Sequence, residues 1–186
     1  MTLRVPVDGS DHADGPADAP VTLVEYGDYQ CPYCGAAYPV VKQLRERFGD
    51  DLRFVFRNFP LQQAHEHAMS AAMTAEFAAA KGHFWEAHDA LYENQDRLGP
   101  ELYAAIVSQL GIDAGELDAA LESETYFEKI KNDFNGGVRS GVNGTPSFFV
   151  NGDRYDGPRD FETMAEMLDR AIAAAGKDGP KRKGGR

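Results

Sequence analysis

The 186-residue chain holds only two cysteines and one tryptophan, and it is short of positive charge: 19 Lys and Arg stand against 30 Asp and Glu, a formal net charge of −11. Each shortage excludes something. Two cysteines are too few for a disulfide framework. The acidic balance makes nucleic acid and anionic membrane surfaces poor partners. No apolar run approaches the length of a membrane-spanning helix. The opening residues Met1-Thr2-Leu3-Arg4-Val5-Pro6-Val7-Asp8 lack the apolar stretch of a secretory signal, so the expected location is cytoplasmic. The one basic stretch, 181–186, follows Gly179-Pro180 and reads as the end of a disordered basic tail, 176–186. There is no internal repeat.

What is present is concentrated in a few places. Hydrophobic residues make up 42% of the chain, enough for a real core in one domain or in one domain carrying a large insertion. Both cysteines fall in Cys31-Pro32-Tyr33-Cys34, at the expected start of a helix. Two thiols at this spacing can close a small, reducible disulfide. The free N–H groups and positive dipole end of a helix favour a thiolate, the species that attacks disulfides. Far downstream, Gly144-Thr145-Pro146 places a proline directly before a strand signal.

The pattern along the chain predicts a polar N-terminal segment, 1–20, with a breaker-rich loop from residue 8, and then a mostly buried strand at 21–26. Glu25 is the exception in that strand. The apolar Leu23 and Val24 beside it argue that its carboxylate is buried, where its pKa rises and it becomes a local proton acceptor. A helix runs from the cysteines to about Phe48 with Pro39 inside it. A second strand follows at 52–57, giving a strand–helix–parallel strand unit. Residues 62–134 read as helical throughout, with Asp113 and Glu116 resembling a capping box. Strand 147–150, the turn Asn151-Gly152 and a returning strand form a hairpin, and Gly157-Pro158 opens a last helix.

This order resembles a DsbA-like thiol–disulfide oxidoreductase of the thioredoxin superfamily, including thioredoxin domains attached to sodium/proton antiporters. The marks are Cys31-Pro32-Tyr33-Cys34, Pro39 five residues past the second cysteine, Gly144-Thr145-Pro146, Arg57-Asn58-Phe59-Pro60-Leu61 and Phe84-Trp85-Glu86-Ala87-His88. The resemblance implies an α/β thioredoxin-like fold made of 21–60 and 138–175, with an all-helical subdomain, 61–137, inserted after the second core strand. It also implies roles. Cys31 would be a solvent-facing nucleophile that forms a mixed disulfide, and the more buried Cys34 would resolve it. Pro146 would be a cis-proline facing the pair, with Thr145 offering its backbone to an extended substrate. Glu25 would be the buried acid serving Cys34. Pro32 and Tyr33 would tune the reduction potential; the pair Pro-Tyr departs from the family's more frequent Pro-His. Substrates would be cysteine-containing proteins or low-molecular-weight thiols. No metal or organic cofactor is expected, because the electrons reside in the two sulfurs.

Other readings stand beside this one. A glutathione-dependent transferase or isomerase of the kappa type shares the fold, but needs no second thiol. A zinc-binding or chaperone-like module would use the cysteines as ligands, or an apolar groove. Zinc would need two more ligands. His65 and His67 are the nearest candidates, but at helical i, i+2 positions they would face apart. Tyr29 and Tyr33 are the candidates for lining an exposed apolar groove, whereas Phe77, Phe84 and Trp85 suit the subdomain core.

Overall fold

The computed structural model describes residues 1–178. Five strands form one mixed sheet: β1 (His12–Asp14), β2 (Val21–Gly27), β3 (Leu52–Asn58), β4 (Ser147–Val150) and β5 (Asp153–Tyr155), in the order β1-β3-β2-β4-β5. The central pair β2–β3 is parallel, and the other three pairings are antiparallel. Helix α1 (Pro32–Phe48) makes the crossover between the parallel strands and runs through Pro39 without ending. Between β3 and β4 lie α2 (Ala68–Ala80), α3 (Phe84–Glu93), α4 (Pro100–Gln109), α5 (Ala114–Glu122) and α6 (Phe127–Arg139); α7 (Phe161–Asp178) closes the chain. The thioredoxin-like core with an inserted helical subdomain is therefore present as expected. Among the described residues no helix is long and apolar enough to cross a membrane.

Strand alternation sorts the central sheet into two faces. Leu23, Phe54, Phe56 and Phe148 point into the larger core, against Cys34, Ala37, Val41 and Leu44 of α1 and Met164 and Leu168 of α7. Val24, Tyr26, Val55 and Phe149 point into a smaller core with Phe59 and Val142, flanked by Phe134 of α6. Close approach of α6 depends on Gly137: a Cβ there would lie 2.7 Å from the Phe59 ring. The alanines of α2 do what their size suggests. Ala68, Ala71, Ala72, Ala75 and Ala78 are buried, bringing neighbouring helices close.

Three expectations need correction at this level. The segment 8–20 is not all loop, because β1 pairs with Phe54–Phe56 on the edge of the sheet. This strand is short and polar, and side-chain pairs hold it. His12 Nε2 lies 2.9 Å from the buried Glu76 of α2, and Arg45 bonds Asp14 at 2.7 Å. Beside it, the buried Arg57 spends all five N–H donors on Asp11, Tyr26 and the carbonyls of Val5 and Pro6. Breaking such a buried pair from one side costs about 3–5 kcal/mol. Second, helix α7 starts at Phe161, with Asp160 accepting from the Thr163 amide, rather than at Gly157-Pro158. Third, residues 176–178 of the expected tail continue α7, and the remainder lies outside the described residues. At α5 half of the expected capping box forms: Asp113 accepts from the Glu116 amide, while the Glu116 carboxylate pairs with Lys81 instead of reaching back to the Asp113 amide.

Candidate active site

Helix α1 begins where β2 ends, so its N-terminus sits at the carboxyl end of the central parallel strands. Cys31 is the N-cap residue, with extended backbone angles and no side-chain cap of its own. Its sulfur is therefore the group that meets the unpaired N–H donors of the first turn. Across from it the Thr145–Pro146 bond is cis, and the Cys31 thiol donates to the Thr145 carbonyl at 3.4 Å. Both cysteines are free thiols.

The resemblance implied a solvent-facing Cys31; the residue is instead only 3% exposed, and Cys34 is 0% exposed. The exposed surface is supplied by their neighbours. Tyr33 is 71% exposed and Pro32 is exposed beside it. The two thiols are nevertheless driven apart. A hydrogen bond from the Cys34 thiol is the largest influence on Cys31; burial opposes it, and the Cys34 and Tyr33 amides add to it, so that its pKa is brought down to about 5. Cys34 is pushed well above the usual thiol range, first by burial and then by Cys31 and Glu25. The Thr145 hydroxyl is itself buried and without a hydrogen-bond partner among the described residues.

Glu25 lies where expected. It pairs in register with Phe56 on one side and Phe148 on the other, and is 3% exposed. Burial raises its pKa to about 8; the positive charge of Arg159 works against this and Cys31 adds to it. A carboxyl held in this range can exchange protons near neutral pH.

The inserted subdomain reaches the cysteine turn with polar side chains that the sequence pattern did not reveal. The Gln95 side-chain amide donates to the carbonyls of Tyr29 at 2.7 Å and Cys31 at 2.9 Å. Gly35 makes room for it, since a Cβ there would stand 2.2 Å from Gln95 Oε1. Tyr29 is not a groove residue: it is buried, its hydroxyl 3.1 Å from Nδ1 of the buried His88, and its ring packs on Phe56 and Tyr92. Phe77 and Phe84 are buried and Trp85 packs edge-on to Phe84, so none is a substrate platform; Phe84 and Trp85 also meet Phe56 and Phe54 of β3, so this core joins the subdomain to the sheet.

His65 and His67 are not on a helix; both precede α2, and His65 Nδ1 is 2.8 Å from Asp28 Oδ2. Among the described residues no group of three or more His, Cys, Asp or Glu is gathered in a way that could hold a metal ion.

A pair of free thiols at a helix N-terminus, facing a cis-proline loop on a mixed sheet with a helical insertion, has the form of a DsbA-like thioredoxin fold. A family model described as thioredoxin matches residues 8–170, and the chain belongs to that family. Among solved structures, oxidised BdbD from Bacillus subtilis superimposes with a TM-score of 0.80 at 24% identity, over 88% of this chain and 94% of that one. α-DsbA1 of Wolbachia pipientis gives 0.81 at 19% identity over 93% and 96%, and both show the shared fold. A thioredoxin-like oxidoreductase from Silicibacter pomeroyi gives 0.77 at 28% identity over 89% and 94%. Curated relatives include a Na(+)/H(+) antiporter NhaA 3 from Salinispora tropica, 41% identical over 176 residues, 94% of this chain. Another is an NhaA 1 from Mycobacterium sp., 40% identical over 172 residues, 91% of this chain. This chain spans 27% and 28% of the length of those two relatives.

Proposed function

We propose that the chain is a thiol–disulfide oxidoreductase acting through a mixed disulfide at Cys31 that Cys34 resolves, and that it runs in the disulfide-donating direction. The observation that carries this reading is the placement of the two sulfurs, Cys31 at the N-cap of α1 with its Sγ 3.4 Å from the Thr145 carbonyl and Cys34 wholly buried one turn on; these surroundings lower Cys31 to about 5 and push Cys34 up. A stabilised thiolate favours the reduced pair and so makes the disulfide a stronger oxidant.

In the donating direction a substrate thiolate attacks Cys31 Sγ of the Cys31–Cys34 disulfide. Cys34 leaves as a thiolate and takes a proton from Glu25, which is poised near neutral pH to supply it. A second substrate thiolate then attacks the mixed disulfide. Cys31 departs into the hydrogen bonds of the helix start, and the substrate keeps the new disulfide. If the second attack fails, Cys34 returns its proton to Glu25 and displaces the substrate. Thr145 and Pro146 on one side, and Pro32 and the exposed Tyr33 on the other, form the surface for a cysteine-containing protein segment or a small thiol. The two sulfurs carry the electrons, so the reaction as proposed needs no metal or organic cofactor. A donor of disulfides works in an oxidising surrounding, which favours such a compartment over the cytoplasm expected from the opening residues.

The test is a Cys34→Ser variant mixed with a disulfide-containing peptide and read by mass spectrometry. Accumulation of a peptide adduct on Cys31 is expected. A variant that forms no adduct yet catalyses glutathione-dependent isomerisation would overturn the reading in favour of the kappa-type alternative.

A further inference from the structure

Asp28 sits in the turn that joins β2 to the cysteines, and its side chain is wholly buried at 0% exposure. A buried carboxylate needs compensation, and this one has it on both oxygens. Oδ1 accepts from the Gln30 amide at 2.8 Å. Oδ2 accepts from the Leu61 amide at 2.8 Å and lies 2.8 Å from His65 Nδ1. Gln30 is held in turn, its Oε1 accepting from the His67 amide at 2.6 Å. The carboxylate thus fastens the cysteine turn to the loop between β3 and α2.

The main chain of Asp28 serves both cysteines. Its carbonyl accepts from the Cys31 amide at 3.1 Å, and its N–H donates to Cys34 Sγ at 3.5 Å. Sulfur is a weak acceptor as a thiol and a much stronger one as a thiolate. In a site that otherwise disfavours charge on Cys34, this N–H is aimed at the atom where charge must appear during exchange. An N–H is aimed when its peptide plane is fixed: the Gly27 carbonyl in that plane accepts from the Phe59 amide at 2.8 Å, and the Asp28 carboxylate holds the far side of the same residue through Gln30, Leu61 and His65.

We propose that Asp28 is a positioning residue for the resolving step, with His65 as the side chain that orients it. The inference rests on the exchange reading above. In the step concerned, the Cys34 thiolate attacks Cys31 Sγ of a mixed disulfide. The bond between Cys31 and the substrate sulfur breaks, the Cys31–Cys34 bond forms, and the substrate leaves as a thiolate with the electron pair. Asp28 contributes by holding its N–H on Cys34 Sγ as that thiolate forms. Its side chain bonds Gln30, Leu61 and His65 and neither sulfur, so the carboxylate acts through the main chain.

The two thiol steps can be timed in one experiment. The reduced full-length chain is mixed with 5,5′-dithiobis(2-nitrobenzoate) in a stopped-flow spectrometer. The first thionitrobenzoate release reports attack by Cys31, and the second reports resolution by Cys34. In Asp28→Ala the second phase is expected to slow by about three- to tenfold relative to the first, with His65→Ala moving the same ratio by about twofold. Asp28→Asn keeps the shape and one acceptor and should fall between wild type and Asp28→Ala. Together with His65→Ala it decides the matter should Asp28→Ala fail to fold. An unchanged ratio in the folded variants, whatever happens to their melting temperatures, overturns the positioning role. A wild-type chain that gives no second release contradicts the exchange reading itself.

Discussion

Cys31 and Cys34 stand one turn apart at the start of one helix, and their surroundings drive them in opposite directions. Cys31 is the N-cap residue, where the Cys34 thiol and the amides of the first turn bring it down to about 5. Cys34 lies beneath, at 0% exposure and close to Glu25, and is pushed up. Helix position alone does not account for this, because both cysteines belong to the same first turn. The difference comes from what each sulfur faces: several hydrogen-bond donors for Cys31, and for Cys34 apolar packing and a carboxyl that outweigh the single Asp28 N–H. That asymmetry is what gives two chemically identical groups separate roles.

The largest effect should come from removing one sulfur at a time. Cys31→Ser is expected to lose all measurable exchange, whereas Cys34→Ser should keep the first attack and stall as the mixed disulfide; insulin reduction and adduct mass distinguish them. Next, iodoacetamide labelling against pH should place the Cys31 midpoint near 5. In Cys31→Ser the remaining thiol should resist labelling until well past the usual thiol range. Converging midpoints would break the comparison.

Glu25→Gln sharpens it. The folded-state pKa of Glu25 is about 8, above its ordinary value of 4.5, so the folded chain binds an extra proton between those pH values. Wild-type stability on this account is highest below pH 4.5, falls as pH rises through the window, and levels off above about 8. Glu25→Gln removes that fall. Urea denaturation of the two proteins should therefore diverge with rising pH, by a few kcal/mol at the upper end. At neutral pH the variant should also resolve mixed disulfides more slowly, having lost its proton acceptor.

The smallest effects concern the grip of the inserted subdomain on the cysteine turn. Gln95→Ala leaves the Tyr29 and Cys31 carbonyls without that donor and should cost about 1–2 kcal/mol. Gly35→Ala displaces the same side chain, while the helix gains about 0.5–1 kcal/mol from losing a glycine. Because both changes break one contact, the double variant should be far from additive. Additive melting shifts would mean that Gln95 and Gly35 act separately.

Much of this site is written locally. The cysteine spacing, the carboxylate flanked by apolar residues in β2 and the proline before β4 can all be read from neighbours in sequence. The same is true of the hairpin turn at Asn151-Gly152 and of the buried face of α1. Other parts are not local. Gln95 meets the carbonyls of Tyr29 and Cys31 from 66 and 64 residues away, and His65 meets Asp28 across 37. Hydrophobic periodicity carries no information about such polar pairs. Asp28 does leave one local trace, the bond from its carboxylate to the amide two residues on, but that is the mark of an ordinary turn. Tyr29 misleads for a related reason. A tyrosine beside a reactive cysteine suggests a surface platform, whereas the buried His88 draws its hydroxyl inward. Strand β1 escapes because its residues are polar and its pairing is secured by Glu76 and Arg45 on distant helices.

The most direct test of the central claim is the equilibrium between reduced and oxidised Cys31–Cys34 across glutathione redox buffers, with the Cys31 titration read from the same sample. The expected result is a disulfide whose potential lies above the roughly −270 mV of a thioredoxin reductant, together with a Cys31 midpoint near 5. A pair that forms no disulfide in any buffer, or a Cys31 that titrates like an ordinary thiol, would contradict it.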